Sequence, residues 1–95
     1  MTDQEIIEMI KVSLNSPKNQ DNLLWAMKEQ AEQQLRTRGI VLDKEDPEVC
    51  GVISMRTEWL WRKRASSDRS MPRMLDAAEK DLLFHQKMGG ITGDT

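Results

Sequence analysis

The sequence predicts an all-α protein, a small four-helix bundle. Apolar residues recur at helical spacing in four segments, and capping residues or Gly and Pro bound each segment. A chain of 95 residues has room for only one hydrophobic core. We therefore predict a single domain over residues 1–95, with helices at about 3–14, 20–38, 47–64 and 71–88 and a short C-terminal tail, 89–95, that is flexible or docked on a partner.

The first helix is predicted from a capping box formed by Thr2 and Glu5, in which a hydroxyl and a carboxylate each bond a free backbone N–H. Four aliphatic residues then recur at helical spacing between Ile6 and Leu14. Pro17 ends the segment because proline cannot continue the helical hydrogen bonds.

The second helix is predicted to begin at a cap formed by Asn19 or Asp21. It is predicted to end at Gly39, in a Schellman motif in which Ile40 makes the hydrophobic contact. The short apolar run 40–42 is interpreted as a loop, since no second strand is available to pair with it. The predicted apolar stripe is Leu24, Met27, Ala31 and Leu35, with Leu23 beside it, and the predicted solvent face is Lys28, Glu29, Glu32, Gln33 and Arg36.

The third helix is predicted to begin with Asp46 as its N-cap and Pro47 in its first position. Its centre is apolar around most of the circumference, which is typical of a helix packed on several sides. Trp59 is assigned to the core. Trp61 lies about 200° further around the axis, so both side chains cannot face the same core. Trp61 therefore faces another chain or is buried beneath the loop 40–46.

The fourth helix is predicted to have Ser70 as its cap and Pro72 in its first turn, and to end at Gly89-Gly90. Phe84 is placed outside its inner stripe. The residues predicted to form that stripe are Met74, Leu75, Ala78, Leu82, His85 and Met88.

The composition narrows the class of protein. Hydrophobic residues make up 38% of the chain and charged residues 32%, a balance that suits thin apolar stripes or a subunit that completes its burial in an assembly. A lone Cys50 excludes an internal disulfide and a cysteine-based metal site. The acidic N-terminus is unlike a signal peptide, and no apolar run approaches the ~20 residues of a membrane span. We expect a soluble protein made in a reducing cytoplasm.

The chemically reactive residues do not form a recognisable constellation. His85 is the single histidine, and Asp81 one turn earlier adds at most one more ligand, so a structural histidine is favoured. Cys50 lies in a first helical turn, where the helix dipole would lower its pKa, but a small buried residue is favoured. Asp43, Glu45 and Asp46 lack the spacing of a calcium loop. We predict no catalytic, metal or cofactor site, and no enzymatic activity.

Basic residues are concentrated near the end of the third helix. They either contact nucleic-acid phosphates or act as favourable cations at a helix C-terminus. A helix-turn-helix is disfavoured because the connection between helices three and four is about seven residues long. The net charge of −2 argues against general polyanion binding. A helical toxin inhibitor or adaptor has only the composition in its favour. The residues predicted to form a subunit or partner interface are Trp61, Arg62, Lys63, Arg64, Arg69 and Arg73.

Four short segments, together with the order and lengths of the helices, carry a family resemblance over nearly the whole chain. The segments are Arg38-Gly39-Ile40, Asp46-Pro47-Glu48-Val49, Trp59-Leu60-Trp61-Arg62 and Met88-Gly89-Gly90-Ile91. In this layout the chain resembles tailed-phage head–tail connector proteins, also called head-completion adaptors.

The resemblance implies a structural virion protein, made in the host cytoplasm and located in the neck. Such proteins form a ring, usually of twelve copies, beneath the portal at the capsid vertex. The ring extends the DNA channel and joins the capsid to the tail. The implied partners are other copies of the chain, the portal protein, the next neck or tail protein, and double-stranded DNA that passes without sequence-specific binding; no membrane is involved. The implied portal-docking tail is Lys87, Met88, Gly89, Gly90 and Ile91. The alternative function is a small helical nucleic-acid-binding regulator that uses the basic region 62–73.

Overall fold

A computed structural model describes residues 1–14, 20–64 and 70–93, with the side chains of the last helix described as far as residue 88. These residues form four α-helices and contain no strand. The prediction of an all-α four-helix bundle is confirmed, and the bounds of the first three helices agree with the predicted ones to within one residue. The helices are α1 (Asp3–Leu14), α2 (Asp21–Thr37), α3 (Pro47–Lys63) and α4 (Arg73–Gly93).

The predicted bounds of α4 are wrong at both ends. The helix begins at Arg73, and the N–H of Asp76 bonds the carbonyl oxygen of Pro72 at 3.0 Å, so Pro72 precedes the first turn and Ser70 is not the cap. Gly89 and Gly90 do not end the helix, which continues to Gly93. Glycine costs a helix only about 1 kcal/mol per residue, which weakens a helix without terminating it. The tail segment 89–93 is therefore helical, and 94–95 lie outside the described residues.

The caps of α1 and α3 form as predicted. The N–H of Glu5 donates to the hydroxyl of Thr2 at 3.1 Å, and the N–H of Thr2 donates to the carboxylate of Glu5 at 2.9 Å. Asp46 accepts a hydrogen bond from the N–H of Glu48 at 2.9 Å. The start of α2 differs: Gln20 is the capping residue and makes no side-chain capping bond, so Asp21 is the first helical residue. The other predicted cap, residue 19, lies outside the described part of the chain.

The end of α2 is the predicted Schellman motif. Gly39 has a φ of +95°, a conformation that a residue with a Cβ adopts only with strain. The N–H of Ile40 bonds the carbonyl of Leu35 at 3.1 Å, and the N–H of Gly39 bonds that of Arg36 at 2.9 Å. Ile40 is buried, so the turn directs the loop 40–46 back onto the bundle.

Helix α3 lies at the centre, with α2 behind it and α1 and α4 on nearly opposite sides. Glu58 of α3 accepts a hydrogen bond from Ser13 of α1 at 2.6 Å. Arg56 of α3 donates to Glu79 of α4 at 2.6 Å. Two residues along a helix correspond to a rotation of about 200°, so α1 and α4 contact nearly opposite sides of α3. The molecule is flat, with extents of 49 × 30 × 19 Å.

The core joins all four helices through aliphatic side chains. Ile53, at the middle of α3, is fully buried, and in the predicted α1 stripe Ile6, Ile7 and Ile10 are buried while Leu14 is half-buried. No helix in the described parts of the chain combines the length and hydropathy that a bilayer crossing requires. The buried residues that form the core cluster are Ile6, Ile7, Ile10, Leu24, Leu35, Ile40, Val49, Cys50, Val52, Ile53 and Leu82.

The predicted inner stripe of α4 is only partly correct. Leu75 and Leu82 are buried, but Met74, His85 and Met88 are exposed. The buried row is displaced around the helix because Glu79, which the prediction omitted, is the inward-facing residue between the two leucines.

Candidate functional site

Four charged residues join the start of α1, the middle of α2 and the loop before α3. Lys28 is 1% exposed, and its ammonium contacts the carboxylates of Asp3, at 3.2 Å, and of Glu32. The ammonium of Lys44 contacts the carboxylate of Asp3 and that of Glu32, the latter at 3.3 Å. Lys28 and Glu32 were predicted to face solvent, which is wrong. Each ammonium contacts two carboxylates, so the charges of Lys28 and Glu32 are compensated. Both residues can therefore be buried although they belong to a polar row of α2.

These contacts displace the pKa of two members. The hydrogen bond from Lys44 holds the pKa of Asp3 below its ordinary value. Burial works to lower the pKa of Lys44, but the hydrogen bond to Asp3 and the charge of Glu32 outweigh it, so that pKa is raised. Asp3 therefore stabilises the fold above its ordinary pKa of 3.8, and this contribution is lost as pH falls through the lower folded pKa. The contribution of Lys44 is present below 10.5 and lost as pH rises through the raised pKa.

Asp3→Asn is expected to lower the melting temperature at neutral pH and to flatten the loss of stability in acid, because the amide keeps the shape but not the charge. Thermal unfolding followed by circular dichroism from about pH 7 to about pH 2 measures both effects. Asp81→Asn is the matched control, since Asp81 is exposed and forms no salt bridge within the described residues. An acid profile of Asp3→Asn identical to that of the wild type would contradict the assignment.

A second charged cluster fastens α4 to α2 and α3. Glu79 is 0% exposed, and its carboxylate accepts hydrogen bonds from Arg56 at 2.6 Å and from Arg38 at 2.5 Å. The Nε of Arg56 donates to the side-chain oxygen of Gln34 at 2.8 Å, and Arg38 also reaches Asp76 at 3.4 Å. One buried carboxylate thus holds two guanidinium groups. In the sequence, Glu79 lies four residues after Leu75 and three residues before Leu82. This spacing places it on the same side of α4 as the two leucines and was the signal for its burial.

Cys50 is buried, as was favoured, whereas the predicted position of His85 on the inner stripe of α4 is wrong. His85 is exposed rather than inward-facing, and its Nδ1 lies 2.9 Å from Glu48. The thiol of Cys50 is buried, 3.2 Å from the carbonyl of Lys44, and burial raises its pKa, the opposite of activation by the helix dipole. The described residues contain no group of three or more His, Cys, Asp or Glu side chains that could hold a metal ion.

The assignment of Trp59 to the core is wrong, and Trp61, for which an exposed and a buried position were both left open, is half-buried. Trp61 is half-buried and packs against the core cluster, whereas Trp59 lies outside that cluster. Trp59 instead lines a groove of about 200 Å³ between α3 and α4, together with Met55 and Met74. Its indole N–H has no hydrogen-bond partner among the described residues. Helical spacing shows that the two side chains lie on different sides of α3, but not which of those sides the other helices cover.

The described basic residues of the predicted interface lie at the end of α3 and the start of α4. Lys63 lies with its ammonium 4.9 Å from the ring centre of Trp59, and Arg64 with its guanidinium 4.2 Å from that of Trp61. Such cation–π contacts contribute about 0.5–1 kcal/mol at exposed sites. Arg62 and Arg73 are exposed nearby on α3 and α4, and residue 69 lies outside the described residues. The interface role of these residues stays a prediction.

An apolar groove opens beside α1, near the start of α3. We call it the α1 groove: it has a volume of about 330 Å³, and nothing lies within 4 Å of where a Cβ on Gly51 would stand. Val12, 82% exposed, continues the apolar surface along α1 one turn from Met9. The residues that line the α1 groove are Met1, Met9, Lys44, Glu45, Pro47, Cys50 and Gly51.

The far side of α4 carries a second apolar surface. Phe84 is 60% exposed and Met88 is also exposed. Three basic residues recur at intervals of seven, which places them along one side of the helix. We call this surface the α4 outer face. Its residues are Arg73, Ala77, Lys80, Phe84, Lys87 and Met88, all exposed.

The predicted portal-docking stretch belongs to the end of α4. Lys87 and Met88 are exposed side chains of the α4 outer face, and the backbone of Gly89, Gly90 and Ile91 continues the helix. This stretch is a helix end, not the non-helical tail that was predicted.

Comparison of the chain with protein-family models, with curated proteins and with solved structures gave no match. Function must therefore be inferred from the residues and the geometry of the chain itself.

Proposed function

We propose that the protein is a head–tail connector subunit of a tailed phage, which forms a ring beneath the portal and extends the DNA channel toward the tail. The observation that supports this most is the presence of apolar surfaces on two opposite edges of one flat subunit. The sequence resemblance to connector proteins supports the location in the virion. The two apolar edges support assembly through contacts between neighbouring copies.

The two edges have the properties that a ring subunit needs. Copies in a ring meet through heterologous contacts, so each copy presents two different surfaces, one toward each neighbour. Met9 and Val12 are exposed on α1, and Phe84 and Met88 are exposed on α4, on nearly the opposite side of α3. Exposed apolar patches of this kind mark interaction sites on small proteins. A subunit of this shape is suited to lateral repetition.

The basic end suits a position next to nucleic acid or an acidic partner surface. Arg62, Lys63 and Arg64 end α3, and Arg73 begins α4 at the same end of the bundle. Arginine and lysine bind phosphate without reading sequence, as a conduit for DNA requires. The glycine-rich part of the predicted docking stretch, residues 89–91, lies at the other end of α4, so contacts with the portal and contacts with DNA use different ends of the subunit.

The connector proposal is tested by adding the purified chain to particles of its cognate portal protein and measuring the mass of the product by native mass spectrometry. We expect portal particles that carry several copies of the chain in a fixed stoichiometry. Removal of residues 89–95 is expected to weaken this binding, because the segment is part of the proposed docking stretch. A chain that stays monomeric and ignores the portal would refute the proposal.

The second candidate is a nucleic-acid-binding regulator, favoured by the exposure of Arg62, Lys63, Arg64 and Arg73 at one end. It predicts tight binding of the isolated chain to duplex DNA with a steep dependence on salt. The connector predicts weak binding that does not depend on sequence. Fluorescence anisotropy of a labelled duplex over a series of salt concentrations separates the two functions.

A further inference from the structure

We propose that the α4 outer face of one copy docks into the α1 groove of a second copy, with Phe84 as the side chain that fills the groove. This assigns the contact between neighbours and rests on the self-assembly part of the proposed function. It does not depend on the portal or on DNA.

The α1 groove is large enough to take an aromatic side chain. The α1 groove, at about 330 Å³, is within the range of about 300–1,000 Å³ typical of ligand clefts. Gly51 leaves its floor open, so a helix can approach closely. Met1 and Met9 border it, and methionine side chains adapt to the shape of an incoming group. Phe84 is the largest apolar side chain on the α4 outer face, and an amphipathic helix placed in an apolar groove is a recurrent mode of recognition.

The charges of the two surfaces are complementary. Glu45 lines the α1 groove, and Glu5 lies one turn before Met9 on the adjacent helix; neither forms a salt bridge within the described residues. Lys44 also lines the groove, but Asp3 and Glu32 already engage its ammonium. The N-terminal ammonium of Met1 also lies at the groove, bonded to the carbonyl of Lys44 at 2.7 Å, so the two carboxylates leave one negative charge in excess there.

The opposing surface is positive along its length. Lys80 and Lys87 flank Phe84 on the α4 outer face at the i−4 and i+3 positions, with Arg73 one further interval away. Lys80 pairs with Asp76 at 2.9 Å in its own helix, which leaves Lys87 as the cation best placed to meet Glu45 of the second copy. Charges arranged in this way fix the register of a contact.

The two surfaces of one copy cannot meet each other, because α1 and α4 lie on nearly opposite sides of α3. The contact is therefore between copies and is heterologous. Each added copy leaves one groove and one outer face open, so the contact repeats, and it closes into the ring of the proposed function where the rotation between neighbours is a whole fraction of a turn.

The test uses two variants that each destroy one surface. Phe84→Glu removes the outer face, and Met9→Glu places a charge at the groove; both side chains are exposed in the subunit, so the fold tolerates them. We expect wild-type chains to associate in sedimentation velocity as concentration rises to about 1 mM, and each variant to associate about 30-fold more weakly or worse. An equimolar mixture of the two variants is expected to form dimers, because Met9 of one and Phe84 of the other remain intact.

A charge exchange gives an independent readout. Lys87→Glu is expected to weaken association, and Lys87→Glu combined with Glu45→Lys to restore it, because the pair is reversed. Circular dichroism of every variant checks that the helices are retained.

The other outcomes overturn the assignment. A wild-type chain that stays monomeric throughout, association unaffected by either variant, or a variant mixture that forms no dimer would each do so. A loss of portal binding by Met9→Glu with self-association unchanged would show that the portal, not a second copy, occupies the groove.

If association fails but the chain still loads onto the portal in fixed stoichiometry, the inter-subunit contact is wrong and the connector proposal stands. If association behaves as expected but the portal is ignored, the connector proposal fails and the contact stands.

Discussion

Glu79→Ala is expected to lower the free energy of unfolding by about 3–5 kcal/mol, because it leaves a buried guanidinium without its counter-charge. Arg56 is only 7% exposed, and Glu79 is its anionic partner within the described residues. Arg38 loses the same partner but retains Asp76 and is closer to solvent. Domains of this size are stable by only about 5–15 kcal/mol, so the loss is a large share of the total. Urea denaturation followed by circular dichroism measures it.

The control for this prediction is Asp81→Ala, which removes an exposed carboxylate from the same helix. A change within about 0.5 kcal/mol is expected there. If Glu79→Ala were as mild as this control, the cluster would not be what fastens α4. A double replacement of Glu79 and Arg56 by apolar residues of similar volume is expected to recover much of the loss, because a buried pair contributes less than breaking it costs.

Ile53→Ala is expected to lower the free energy of unfolding by about 2–5 kcal/mol, through lost burial and the cavity left behind. Ile53 is fully buried at the centre of α3, where side chains from the flanking helices meet. The cavity cannot collapse easily because α3 is held on both sides, by Ser13 through Glu58 and by Glu79 through Arg56. Urea denaturation again gives the value.

Two replacements calibrate the result for Ile53. Ile53→Val removes one methylene and is expected to cost about 0.5–1.5 kcal/mol. Val12→Ala removes two methyl groups from an exposed position of α1 and is expected to change stability by no more than about 0.5 kcal/mol in the monomer. Equal effects at positions 12 and 53 would mean that α3 is not the centre of the core.

Local signals in the sequence were sufficient for the helices and most of their ends. Three of these helix ends depend on residue pairs that act through backbone groups within a few positions: Thr2 with Glu5, Asp46 with Pro47, and Gly39 with Ile40. The local sequence was therefore enough to predict them. The end of α4 is different, because two glycines only weaken a helix, and neighbouring turns and tertiary packing decide whether it stops there.

Contacts distant in sequence explain what the pattern missed. Glu79 and Lys28 belong to rows that look polar, and they are buried only because Arg56 and Asp3 reach them from other helices. The inner row of α4 was misplaced for the same reason: Met74 and Met88 are apolar, yet the buried side of the helix is set by the ion pair at its centre. Periodicity identifies an amphipathic helix, but partner charges decide how it is rotated.

Only some residues of the candidate surfaces could be identified from the sequence. The basic residues from Arg62 to Arg64 could be named because they are consecutive. The α1 groove could not, since Met1, Met9, Glu45 and Gly51 are brought together by the return of the chain after α2. The α4 outer face required the correct rotation of α4, which the buried ion pair determines.

The most direct test of the connector proposal is electron microscopy of the chain assembled on its portal, with averaging about the portal axis. We predict a closed ring coaxial with the portal, in which α1 of each copy faces α4 of its neighbour and the basic end of α3 is exposed to the channel. Portal particles without a ring, or a ring in which the α1 and α4 edges both face solvent, would contradict it.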